Sequence, residues 1–331
     1  MQGRSTQSPV AVSTVLFILA LSFIGAVSKA SAQEYPNRTV RLILPFPPGG
    51  TTDNVARAVA DRLTKPLGQT VIIENRGGAG GMIGARAVTS ARPDGYTLLF
   101  GASSVAVGLG FETKDPYDPL DDLTGVSMVA QVTLALAVHP SVPAKNPKEL
   151  VTLIKSQPGK FNSAVPGMWS LPHLFLLLFM QRTDTKIEAI AYNGGGPAVT
   201  DLLSGRTQMT IINLPTIFQH INSGKLRAVG VAGIRRAEQL PDTMTFEESG
   251  YSGLTATTWN AIFAPKGTPA EINTRLNREI VAILRSAEVK SYLGKFGAEP
   301  MIATPQESDA FVRSEARLWR KVMSDAGVKA E

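Results

Sequence analysis

The 331-residue chain has no cysteine and only three histidines. The first absence excludes disulfides, thiolate metal sites and a cysteine nucleophile, and it suits an oxidising compartment. The second leaves little for a metal: His139, His173 and His220 are scattered, and no pair has the spacing of a helical ligand pair. No metal and no cofactor is therefore expected. Lysine and arginine never form a run, so the formal charge of +6 is dispersed and nucleic acid is not an expected partner. No Gly-Lys-Ser/Thr follows a glycine loop. Gly101-Ala102-Ser103-Ser104-Val105 lacks the closing glycine of a nucleophile elbow. Beyond residue 27 no apolar stretch is long enough to cross a membrane.

The first 32 residues carry a different signal. Arg4 supplies a short basic region, residues 10–27 are apolar, and Ala30-Ser31-Ala32 has the small-x-small pattern of a signal-peptidase site. The expected product is an exported, periplasmic chain starting at Gln33. Arg4 and Lys29 leave with the peptide, which has no acid, so the formal charge becomes +4. An uncleaved anchor and a membrane-bound sensor are the alternative.

What remains exceeds the size at which one core usually splits, so two domains are expected. Strand-like runs at 40–44, 71–73 and 96–100 alternate with helix-period segments, and the alternation resumes between 147 and 231. Such repetition implies parallel sheets with right-handed crossovers. Three helices after the strand at 257–264 need a sheet to cover. The chain is therefore expected to leave domain 1 near 135 and return near 258. Residues 33–134 with 258–331 form domain 1, and 135–257 form domain 2. The two crossings form a hinge, with a ligand cleft beyond the carboxyl ends of the strands.

Two turns carry the candidate chemistry. Leu44-Pro45-Phe46-Pro47-Pro48-Gly49-Gly50-Thr51-Thr52-Asp53 leads from a strand into a helix, and Tyr192-Asn193-Gly194-Gly195-Gly196-Pro197-Ala198 does the same in the second half. Each aims helix N-terminal N–H groups at whatever lies in front, a grip for an anion that needs no charged side chain. Thr51 and Thr52 add hydroxyls. Asp53, in the first helical turn, also suits capping or dipole stabilisation. The Ala102, Ser103, Ser104 segment ends the third strand. His173 opens a helix after Trp169-Ser170-Leu171-Pro172 and is a candidate for lying near a ligand. The glycine cluster from Gly77 to Gly84 lacks dinucleotide spacing, since Ile83 stands where the third glycine is needed.

Several stretches together resemble the tripartite tricarboxylate transporter substrate-receptor family, also called the Bug family. They include Pro45-Phe46-x-x-Gly49-Gly50-x-x-Asp53, Val71-Ile72-Ile73-Glu74-Asn75-Arg76-x-Gly78, Pro93-Asp94-Gly95-Tyr96, Pro197-Ala198-x-x-Asp201-Leu202-Leu203-Ser204-Gly205 and Ala264-Pro265-x-Gly267-Thr268-Pro269. The resemblance covers essentially the whole chain after residue 32. It implies a type II periplasmic-binding-protein fold, α/β, with two open parallel-sheet domains joined by two crossover segments. It also implies a monomeric, non-enzymatic receptor that captures a small carboxylate, di- or tricarboxylate or aromatic, and delivers it to integral-membrane permease subunits. The two glycine turns would hold one carboxylate, and Asn213 would join them. The chain departs from the family pattern at Gly167-Met168-Trp169-Ser170, where a Gly-Asn-Gly-Ser-like stretch is usual. It departs again at Asn193, where lysine is common, and at Ile212, where an aspartate often precedes Asn213. These departures suggest a cleft for a flatter or more apolar acid, with Trp169 and Met168 as its wall. The rival expectation is a secreted α/β hydrolase or transferase acting on a carboxylated substrate, which would need a convergent acid/base pair.

Overall fold

A computed structural model describes residues 35–46, 48, 51–78, 81–104 and 119–327, with the side chains of Thr51, Pro119 and Leu120 excepted. The leader assigned to residues 1–32, and Pro47, Gly49 and Gly50 of the first turn, lie outside the described residues.

The body Arg38–Glu331 begins with β1 (Val40–Leu44), α1 (Thr51–Leu67), β2 (Val71–Asn75), α2 (Met82–Thr89) and β3 (Thr97–Ala102). β1 pairs in parallel with both β2 and β3. In α1, Val55, Val59, Leu63 and Leu67 recur at four-residue intervals and all are buried, so the apolar stripe read from the sequence is the face on the sheet. α2 approaches the first turn closely. A Cβ at Gly84 would lie 2.8 Å from the Arg76 carbonyl and 2.9 Å from Pro45 Cα, so only glycine permits that contact.

After α3 (Pro119–Asp122), residues 126–138, an apolar stretch in the sequence, belong to one strand of 16 residues, β4 (Leu123–Val138). Nearly every residue is buried, which explains the missing alternation: both faces are covered, so both must be apolar. The second half contains α4 (Pro147–Ser156), β5 (Asn162–Val165), α5 (Leu171–Thr183), β6 (Glu188–Ala191), α6 (Gly195–Leu203), β7 (Met209–Asn213), α7 (Leu214–Asn222) and β8 (Arg227–Val231). β9 (Thr257–Pro265), α8 (Ala270–Arg285), α9 (Ala287–Gly294), β10 (Glu299–Pro300) and α10 (Pro305–Asp325) complete the chain. β5 is parallel to β6 and β7, as expected, while β4 and β9 run antiparallel to their neighbours.

β4 and β9 organise everything else. Residues Leu123–Thr133 of β4 pair with β9, whereas Leu134–Val138 pair with β7 and β8. β4 thus changes partner between Thr133 and Leu134. The strand period of two then sorts the β4/β9 ladder onto two faces. Val132 and Thr258 are register partners, as are Ala130 and Asn260, and these pairs share one face. Gln131 with Trp259 and Thr133 with Thr257 share the other. On that second face a cavity of about 240 Å³ is lined by Gln131, Thr133, Thr257, Arg235, Glu299 and Glu315 among others. Arg235 and Glu299 form an ion pair at 2.8 Å across its rim.

α10 spans both halves. Its Val312 and Ala316 pack in the cluster around Ile43, Leu99 and Trp259, while Trp319, Val322 and Met323 pack in the cluster around Leu136, Phe175 and Phe246. Between them Glu315 accepts from Trp259 Nε1 at 3.3 Å and from Trp319 Nε1 at 3.1 Å. Burial pushes the Glu315 carboxyl above the usual carboxylate range, and the two indole bonds only partly oppose that.

This arrangement predicts a pH-dependent stability difference. A carboxyl raised in the folded state supports the fold fully below its unfolded pKa, and that support is lost as pH rises through the folded value. Glu315→Gln keeps an acceptor for both indoles without an ionisation. Its melting temperature is expected to match the wild type in acid and to exceed it increasingly toward neutral pH. Glu315→Leu orphans two buried N–H donors and should cost about 2–4 kcal/mol. Calorimetric melts of both variants across that range check the assignment; parallel curves for Gln and wild type would refute it.

Candidate functional site

The other face of the β4/β9 ladder forms the floor of the candidate site. Asn260 on β9 pairs in register with Ala102 on β3 and Ala130 on β4. Two small residues beside it leave room above the sheet. The result is a cavity of about 240 Å³. Phe46, Thr52, Ala102, Ser103 and Ser104 line it from the first half, and Trp169, Ser170, Leu171, Pro172 and Asn213 from the second, with Val132, Thr258, Trp259 and Asn260 between.

No lysine, arginine, aspartate or glutamate lines it among the described residues. Its polarity comes from hydroxyls and amides instead. Asn260 is 8% exposed and Ser103 6%, yet neither side chain has a hydrogen-bond partner among the described residues. Thr258 Oγ1 donates to Asn213 Oδ1 at 2.8 Å, which leaves the Asn213 Nδ2 hydrogens uncommitted there. α1 begins at Thr51, so its unpaired first N–H groups and positive dipole end adjoin Thr52 on the wall. Neutral donors without acceptors, converging on a cavity at a helix N-terminus, form an environment suited to an anion.

Asp53 is buried and committed elsewhere. Its carboxylate accepts from Arg57 Nε at 2.9 Å, Arg57 Nη2 at 3.0 Å and Asn75 Nδ2 at 3.0 Å. The same Asn75 amide donates to the Phe46 carbonyl at 3.0 Å. Asp53 therefore ties the first turn to β2, a structural role. In the second half, Trp169 has a backbone φ of 62°, and its N–H donates to His173 Nδ1 at 3.0 Å. The two rings lie 5.1 Å apart. His173 is 3% exposed and stands behind Trp169, outside the cavity lining. Burial pulls its imidazole below the usual histidine range. Met168 is 47% exposed and is not part of the lining.

The second glycine turn sits beside this cavity and does not line it. The Gly194 N–H donates to the Pro166 carbonyl at 3.0 Å, stitching the turn to the loop that holds Trp169. A Cβ on Gly195 would lie 3.0 Å from Thr216 Cγ2 and 3.1 Å from Ile212 Cδ1, so the turn packs on either side of Asn213. The Tyr192 hydroxyl donates to Asp201 Oδ2 at 2.8 Å. Asn193, Gly196 and Pro197 are at the surface or half-buried, and Ala198 is fully buried in the body of α6. Pro48 is exposed; Pro47 and Gly50 are outside the described residues, as is the Thr51 side chain.

Val132, Leu171, Pro172, Thr258, Trp259 and Asn260 are lining residues that the motif reading did not single out. Asn260 carried a usable signal: an amide inside Thr257-Thr258-Trp259-Asn260-Ala261-Ile262-Phe263 is a polar group in an otherwise apolar buried strand, which asks for a reason.

The model of the tripartite tricarboxylate transporter family receptor matches residues 55–328. The chain belongs to this family. It is 41% identical to protein BugT of Bordetella pertussis over 307 residues, 92% of this chain and 94% of that one. An R. palustris protein solved with adipate superposes with a TM-score of 0.74 at 35% identity, covering 89% of this chain and 99% of the other. MatC from Rhodopseudomonas palustris with bound malate gives 0.68 at 30%, covering 87% and 99%. The architecture is thus the α/β periplasmic-binding-protein fold of these receptors. As a member of the tripartite tricarboxylate receptor family the protein is a solute-binding receptor rather than an enzyme, and such receptors are periplasmic carboxylate binders that work with membrane transporters.

The unpartnered amide at the cavity floor yields a prediction. A group kept for a ligand is a stability burden in the free protein. Asn260→Leu should leave the melting temperature of the ligand-free protein unchanged or raise it, because leucine between Ala102 and Ala130 buries apolar surface and removes an amide that no described residue bonds. A drop of several degrees would mean that Asn260 is a packing residue.

Proposed function

We propose that the protein captures a small carboxylate in the cavity between Thr52, Ser103, Asn213 and Asn260 and delivers it to the integral-membrane permease of a tripartite tricarboxylate-type transporter. The observation that carries this reading is the set of uncommitted neutral donors around a cavity at the start of α1. A leader ending at Ala32 accounts for export to the periplasm, and the working form is a monomer.

The cavity favours an acid with one charged head and an apolar or planar body. One carboxylate is matched by the N-terminal N–H groups of α1, the Ser103 and Ser104 hydroxyls and the Asn213 amide. No second cationic or strongly donating pole stands opposite among the described residues; Trp169, Phe46, Leu171 and Val132 do. Desolvating a second carboxylate against those groups would be unfavourable. The adipate and malate seen in the related structures are therefore suitable starting probes rather than the expected best ligands.

Closure is assigned to the partner change in β4 between Thr133 and Leu134 and to the start of β9 at Thr257. Residues 33–134 with 258–331 would move against 135–257, bringing the second glycine turn toward the ligand held at the first. Closure pays only when both halves contact the same molecule, which couples capture to the shape a permease reads.

A thermal-shift screen of acetate, malonate, malate, adipate, benzoate and phenylacetate tests the reading, because a ligand of the folded state alone stabilises it by RT ln(1 + [L]/Kd). Benzoate or phenylacetate is expected to give the largest shift. In Trp169→Gly their affinity should fall about 2- to 12-fold, the equivalent of a lost aromatic offset-stacking contact of roughly 0.5–1.5 kcal/mol, while acetate is unaffected. Glycine also accepts the φ of 62° without strain, so the variant should fold. No stabilisation by any of the six acids, or an unchanged ranking in Trp169→Gly, would overturn the carboxylate or the planar-body assignment respectively.

A further inference from the structure

Trp169 is held in a conformation that tryptophan rarely adopts. Its φ of 62° is in the left-handed region, where a Cβ crowds the following carbonyl at a cost of roughly 1–2 kcal/mol. The other non-glycine residue there among the described residues, Asp184, is the C-cap of α5, a position where a short polar side chain in that region is ordinary. Trp169 is neither small nor polar and caps nothing. Something must hold it.

The neighbouring contacts identify what does. The Ser170 hydroxyl and N–H both donate to the Gly167 carbonyl, at 2.8 and 3.3 Å, closing a tight turn around residues 167–170. Inside that turn the Trp169 N–H is directed at His173 Nδ1, 3.0 Å away, and the imidazole faces the indole at 5.1 Å and 55°. His173 is itself fixed: it lies in the first turn of α5, 3% exposed, between Pro172 and Leu174 of a helix whose side chains are nearly all buried. A rigid, buried acceptor thus fixes the one N–H that the left-handed turn directs inward.

We infer that His173 is a positioning residue for ligand selection: as a neutral Nε2–H tautomer it accepts the Trp169 N–H at Nδ1 and so holds the indole as a wall of the ligand cavity. This rests on the proposed role of Trp169 at that cavity and adds the device that keeps it there. His173 itself touches no ligand. An imidazole with Nδ1 protonated would place N–H against N–H and release the turn. The downward pull of burial on this histidine agrees with a neutral ring. The sequence expectation that His173 lies near the ligand is thereby replaced by a contact one residue removed from it.

The test needs no ligand, so it stands or falls separately from the identity of the bound acid. In histidine-¹⁵N-labelled wild-type protein, long-range ¹H–¹⁵N correlation spectra distinguish the tautomers of three rings, His139, His173 and His220. His173 is expected as the neutral Nε2–H form near neutral pH; an Nδ1–H tautomer or an imidazolium would overturn the inference outright. Fluorescence supplies the second readout, since the other two tryptophans, Trp259 and Trp319, are 1% and 0% exposed. His173→Leu should red-shift the emission and increase acrylamide quenching, with no such change in a Trp169→Phe background. His173→Asn restores an acceptor near the Nδ1 position and should return both to wild-type values. Unchanged emission and quenching in folded His173→Leu would show that the indole needs no histidine to hold it.

Discussion

The pairing of β4 with β9 is the constraint on which the rest depends. β4 is the strand that runs through both ladders: its Leu123–Thr133 pair with β9, and within a single step Leu134–Val138 hand over to β7 and β8. Because a strand alternates sides at every residue, the same ladder must serve two purposes. Val132, Thr258 and Asn260 line the candidate cavity; Gln131, Thr133 and Thr257 line the cavity behind. A one-residue slip would exchange the two sets. The lining of the candidate cavity and the joint between halves are therefore specified together, by register.

The electrostatic design follows from where the cavity lies. A lysine or arginine planted on the floor would need a partner in the ligand-free state or would carry a desolvation cost. Helix N–H groups, serine hydroxyls and asparagine amides can be left uncommitted at far smaller cost, because water entering the open cavity satisfies them. On the proposed reading they act together to hold one carboxylate. The acid that might have spoiled this environment, Asp53, is neutralised by Arg57 and used to tie the first turn to Asn75. A carboxylate beside the anion position is tolerated because its charge is already spoken for.

Much of this was legible in the chain. The β1–turn–α1 unit was readable because three signals agree there: an apolar strand, glycines and prolines at the turn, and a four-residue apolar repeat. The apolar run at 126–138 was visible, but its role was not, since a strand buried on both faces loses the alternation that would reveal it. The candidate site divides in the same way. Phe46, Thr52, Ala102, Ser103, Ser104, Trp169, Ser170 and Asn213 sit at strand ends and turns, where local sequence speaks for itself, and all line the cavity. Asn260, Thr258 and Val132 lie in the middle of strands. Their placement depends on register with partners over a hundred residues away, and no local pattern encodes that.

The two faces of the ladder also differ in how completely their demands are met. Behind it, Glu315 satisfies two indoles at once, and the Arg235–Glu299 pair closes the rim. In front, Ser103 and Asn260 have no side-chain partner among the described residues, and Trp169 is held in a strained backbone conformation. Local rules are thus broken on one face and kept on the other. A folded chain tolerates such breaches only where neighbouring structure over-determines them, as the His173 acceptor and the stitched Pro166–Gly194 loops do here. Strain and unmet hydrogen bonds distributed at random would argue for a poorly specified region. Confined to one cavity wall and its floor, and buttressed from behind, they fall together on the cavity proposed for the ligand.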